Sequence, residues 1–156
     1  MSGSMSMKRI LFLLVAVLAL ACPGYAFIDS YTIDRDKLPE EAQNMLTEYF
    51  PKAKVGMIKV DRHLLKKTDY DVRLVNGTTI EFNSKGKWTS VDCKIREVPE
   101  ELVMKPIRRY VTKNFSDLKI VSIRKKTAGY EVGLSDGVVL KFNLLGSYTG
   151  VLEIEE

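Results

Sequence analysis

Few side chains in this chain could carry out chemistry. There is one histidine, His63, within the basic stretch Arg-His-Leu-Leu-Lys-Lys at residues 62–67. Acyl transfer by a serine nucleophile needs an aligned base, yet no Gly-x-Ser-x-Gly elbow surrounds any serine. A zinc site needs three or four nitrogen or sulfur ligands, more than one histidine, His63, and one cysteine, Cys93, supply. No Asp-x-Asp-x-Asp-Gly loop offers a calcium cage, and no glycine-rich loop cradles phosphate. Cys93 sits at the end of a strand pattern, where a small buried hydrophobe is the simpler expectation. His63, in a polar hairpin, is expected to be solvated. This inventory argues against an enzyme and names no cofactor.

What remains is a surface, and strand periodicity sorts it. With Val72, Leu74, Ile80 and Phe82 facing a core, Asp71, Arg73, Thr79 and Glu81 face away. Further along, Glu131, Ser135, Val139 and Lys141 face away. Val91 and Val151 share one parity, Trp88 and Tyr148 the other. With the valines inward and regular strands, both rings stand on the open face beside Arg73, Glu81 and Lys141. Aromatic side chains and arginine among charges are the composition of protein-binding hot spots. A bulge after Gly86 or Gly146 would instead turn both rings into the core.

The elements that position these residues are written twice. Tyr70 to Trp88 (YDVRLVNGTTIEFNSKGKW) recurs sixty residues on as Tyr130 to Tyr148 (YEVGLSDGVVLKFNLLGSY). Upstream, Leu38-Pro39-Glu40-Glu41 matches Val98-Pro99-Glu100-Glu101. Leu38, Ala42, Met45, Leu46, Tyr49 and Phe50 recur at helical spacing, and Pro51 stops the run. In the second half Pro106 is expected to interrupt the helix, leaving a turn at 100–104 and a helix over 107–114. Four strands follow each helix, near residues 55–61, 69–75, through Ile80 and Phe82, and near 88–93, and again from 119 to 154. Asn76-Gly77 and Asp136-Gly137 predict two-residue type I′ hairpins. The fold class predicted is α+β: two tandem repeats, each a helix followed by a four-stranded antiparallel meander. Their sheets are joined or side by side, with helices packed on one face. The divisions expected are 27–95 and 96–156.

Residues 7–26 read as an export signal, preceded by an upstream extension at residues 1–6. Lys8 and Arg9 precede an apolar run of 12 residues at 10–21, too short for a comfortable span of about 20 residues. Small residues Gly24 and Ala26 then place cleavage after Ala26. Ala19-Leu20-Ala21-Cys22 resembles a bacterial lipobox without its usual leucine, so a lipid anchor at Cys22 is the alternative. Cleavage removes Lys8 and Arg9 and no acid, leaving 22 basic against 20 acidic residues, net +2. That balance does not point to a nucleic-acid partner. After cleavage Cys93 has no internal disulfide partner and no span remains.

The signal segment, Leu38-Pro39, the Tyr-x-Val-x-Leu strands, the two turns, and Phe82-Asn83-x-x-Gly86-x-Trp88 with its echo at Phe142 to Tyr148 resemble the secreted β-lactamase-inhibitor-like, PepSY-like family. The resemblance implies a broad curved sheet surface with helices behind it, and an exported protein. β-Lactamase inhibitor proteins share the architecture but carry disulfides, so inhibition is analogy at the level of fold. The function expected is an exported, non-enzymatic binding protein, protein-binding or inhibitor-like, that engages another envelope or extracellular protein through the open face. Arg73, Glu81, Trp88, Lys141 and Tyr148 are the candidate contacts. The alternative is a periplasmic small-molecule or metal-ion sensing module. Localisation is expected to be periplasmic or extracellular.

Overall fold

The computed structural model describes residues 29–62 and 68–152. The export signal, Cys22, His63 and the final four residues lie outside them. Among the described residues, nine strands form one antiparallel sheet in chain order. They are β1 (Ser30–Thr32), β2 (Val55–Asp61), β3 (Asp69–Leu74), β4 (Thr79–Phe82), β5 (Trp88–Asp92), β6 (Ile120–Lys126), β7 (Gly129–Leu134), β8 (Val139–Asn143) and β9 (Tyr148–Val151). Two ten-residue helices, α1 (Glu40–Tyr49) and α2 (Lys105–Asn114), pack on one face. Short 3-10 turns at Arg35–Lys37 and Glu100–Leu102 precede them.

The period-two pattern explains the layering. Ile58, Val72, Ile80, Val91, Ile123, Val132 and Leu140 are register neighbours on seven consecutive strands. Each is at most 1% exposed. Ala42, Met45 and Leu46 from α1 and Ile107 and Val111 from α2 close over this row, forming one apolar cluster. Burying a side chain of this size contributes about 1.5–3 kcal/mol, so the row is the main source of stability.

This corrects the expected architecture of two tandem helix-plus-four-strand units. The described residues build a single nine-stranded sheet with two short helices. No sheet edge divides it, because β5 pairs directly with β6 through Ser90↔Arg124, Val91↔Ile123 and Asp92↔Ser122. The core runs across that seam, and β1, which no sequence pattern announced, adds a ninth strand beside β2.

The hairpins differ from the expected type I′ form. Gly77 and Gly137 have φ of 89° and 93°, but Asn76 and Asp136 do not have positive φ. Their side chains explain why. Asn76 Oδ1 accepts the Thr78 N–H at 3.0 Å, and Asp136 Oδ1 accepts that of Val138 at 3.1 Å. The turn is one residue longer, with the left-handed position taken by glycine alone. Pro106 opens α2 rather than interrupting it, since a first-turn proline has no N–H to lose.

Candidate functional site

The open face carries its charges in register. Lys59, Asp71, Glu81, Ser90, Arg124, Glu131 and Lys141 are successive neighbours from β2 to β8. Six inter-strand steps span about 29 Å. Arg124 reaches over the small Ser90 to Glu81 at 3.7 Å, which leaves Ser90 only 6% exposed. Lys126 approaches Glu131 at 3.6 Å, and Lys59 meets Asp29 at 3.1 Å and Asp61 at 3.5 Å. A parallel row holds Met57, Arg73, Thr79, Asp92, Ser122, Gly133 and Val139. Its small members leave a shallower strip beside the charges.

Of the five residues singled out by sequence, three share this face. Arg73 is exposed, while Glu81 and Lys141 are half-buried. Trp88 and Tyr148 are not with them, which corrects the open-face placement of the rings. In the β4–β5 ladder Glu81 faces Ser90 but Phe82 faces Trp88, so Thr89 is the extra residue of a bulge. The β8–β9 ladder repeats this with Lys141↔Gly150 and Phe142↔Tyr148. Each bulge flips the ring to the side of its buried phenylalanine partner. Trp88 lies against the Met45 and Tyr49 side of α1, with Lys125 Nζ 3.4 Å from its ring centroid. Tyr148 stacks on Tyr110 of α2 at 4.6 Å and 11°. Val151 is 45% exposed, contrary to its inward assignment, because it lies on the edge strand.

Sequence reasoning placed Glu131 on the outward face but missed Lys59 and Arg124 as members of the row. Lys59 joins the row through its β2–β3 pairing with Asp71, and Arg124 and Glu131 join it only through the β5–β6 pairing.

Electrostatics concentrates at one corner. Asp61, Asp69, Asp71 and Glu81 line a hollow of about 200 Å³, below the ordinary size of a drug-like pocket, about 300 Å³ and upward. Burial raises the Asp71 carboxyl above its usual range; Lys59 opposes this, and Asp61, Asp69 and Asp29 add to it. A carboxyl with a raised folded pKa favours the folded state only while protonated. Its contribution therefore falls as pH rises from the ordinary carboxylate value through the raised one. Asp71→Asn should raise the thermal unfolding midpoint at neutral pH. The gain should vanish below about pH 3, where the carboxyl is protonated in both states. A pH series of melting curves checks this. Elsewhere, burial pushes the Cys93 thiol up, as expected of an inert core cysteine.

Among the described residues, no group of three His, Cys, Asp or Glu side chains is placed to hold a metal ion. No helix among them is long and apolar enough to cross a membrane.

Comparison with known proteins gives a consistent result. The family model described as "Putative beta-lactamase-inhibitor-like, PepSY-like" matches residues 68–149. A solved structure from Bacteroides vulgatus, described as a putative periplasmic protein of unknown function, is 36% identical. The match covers 81% of this chain and 100% of that one, with a TM-score of 0.77. A second, from Bacteroides thetaiotaomicron and described as a putative calcium-regulated periplasmic protein, is 33% identical over 80% of this chain and 97% of that one, at 0.75. A third, a putative periplasmic protein of the DUF2874 family from Bacteroides vulgatus, is 34% identical over 82% and 99%, also at 0.75. No curated protein matches the sequence significantly.

Proposed function

Because the chain belongs to the β-lactamase-inhibitor-like, PepSY-like family, whose solved relatives are described as periplasmic, we propose that it is an exported, non-enzymatic binding protein. The recognition surface is the open face of the sheet. The observation that carries this is the uncovered charged row from Lys59 to Lys141, with both helices on the other side. Its length of about 29 Å matches one side of a standard protein interface, about 800 Å² per partner, rather than a small ligand. Alternating charge suits recognition by complementarity, which sets partner choice and association rate. Arg73, Glu81 and Lys141 belong to the proposed contacts. Trp88 and Tyr148 support the opposite face.

The alternative, sensing of a small molecule or metal ion, would use the acidic hollow. Among the described residues the carboxylates do not group as a metal site needs, although one relative is described as calcium-regulated.

The test is cross-linking and capture from the native envelope. The triple variant Arg73→Glu/Glu81→Lys/Lys141→Glu should lose the captured protein, with recovery falling at least about tenfold, since opposed charges at an interface disfavour a partner strongly. Trp88→Phe should capture as wild type does. Equal capture by wild type and the triple variant would remove the open face from the function.

A further inference from the structure

The two helices carry opposite charges at matching positions. α1 exposes Glu40, Asn44 and Glu48, and α2 exposes Lys105, Arg109 and Lys113. In both, the spacing of four makes one continuous stripe. Each stripe places one charge against the dipole of its own helix. Lys105 sits at the positive end of the α2 dipole, which has no acid in its first turn, and Arg109 and Lys113 repel along the stripe. Glu48 sits at the negative end of α1, with no base in the last turn. Among the described residues, none of these five charges forms an ion pair.

They do not meet within one chain. The start of α1 packs on the β4–β5 turn, where Gly86 lies against Pro39 and Ala42. The start of α2 packs on the β8–β9 turn, where Gly146 lies against Pro106 and Ile107. Strands β4 and β8 run in the same direction, so both turns lie at one end of the sheet and both helices start from that end. The turns are four strands apart, about 19 Å, beyond the reach of facing side chains. We propose that the helical face binds a second copy of this chain, α1 of each copy lying along α2 of the other. A two-fold axis running along the helices places Glu40 opposite Lys105, Asn44 opposite Arg109 and Glu48 opposite Lys113. The interface is then the same patch used twice. Exposed pairs are individually weak, so the dimer is reversible and sensitive to salt. It leaves the open face free, and it does not depend on the function proposed for that face.

Sedimentation of the full chain, as the cell processes it, tests this. At low salt, wild type should shift from monomer to dimer with concentration, and its dissociation constant should rise at least about tenfold near 0.5 M salt. Two variants follow: Lys105→Glu/Arg109→Glu/Lys113→Glu, with two acidic helices, and Glu40→Lys/Glu48→Lys, with two basic ones. Each alone should stay monomeric with wild-type circular dichroism, and an equimolar mixture should form the heterodimer. Neutral Lys105→Gln/Arg109→Gln/Lys113→Gln should weaken the dimer without adding repulsion. A wild type that is monomeric at every concentration overturns the proposal, as does a dimer that survives both reversals, or a mixture of the reversed variants that stays monomeric.

Discussion

Gly129→Ala should cost about 3 kcal/mol or more, the upper range for a single substitution. A methyl carbon there would lie 1.9 Å from the Phe142 carbonyl oxygen and 2.8 Å from the Asn143 Cα. Both are backbone atoms of the paired strand, so no side-chain rotation relieves the contact. The φ of +153° adds strain for any residue with a Cβ. Relief would require parting β7 from β8, which carry Val132, Leu140 and Phe142 into the core. Against a typical total of about 5–15 kcal/mol, that loss should be plain in a urea titration. A midpoint within error of wild type would mean that the hairpin opens there at little cost.

Trp88→Ala should be the second large effect, and it should appear in stability rather than recognition. The ring is half-buried against α1 and the core, with Lys125 across its face. Fully buried aromatic truncations cost about 3–5 kcal/mol; a half-buried ring should give about 2–3 kcal/mol. Denaturant unfolding measures the loss, and envelope capture under native conditions should be unchanged. Normal stability with lost capture would return the tryptophan to a binding role.

These two residues show where the sequence was legible. The apolar periodicity of Val72, Leu74, Ile80 and Phe82 identified the core face, and the helices appeared close to their predicted positions. The rings were undecided because one additional residue in a ladder reverses every side chain beyond it. Thr89 and Thr149 carry no mark of that role. The hairpin form failed on a similar detail, since Asn76 can accept a turn residue's N–H as readily as adopt positive φ. The joined sheet was hidden more deeply. A duplicated pattern is equally compatible with two sheets or one, and only the pairing of Val91 with Ile123 decides. The charged row follows from that pairing, so its full extent was hidden too. Arg73, Glu81 and Lys141 were legible because alternation within one hairpin is local.

The strand order has a kinetic consequence. Every strand neighbours the one before it in the chain, so each ladder closes a local loop and none waits for a distant partner. Even the longest closure, from β5 to β6, is shortened by the helix folded within it. Folding rate falls as contacting residues lie further apart in sequence, so this sheet should assemble faster than a sandwich of equal size. A chain crossing a membrane unfolded could then add strand to strand as it emerges, with only its growing edge exposed.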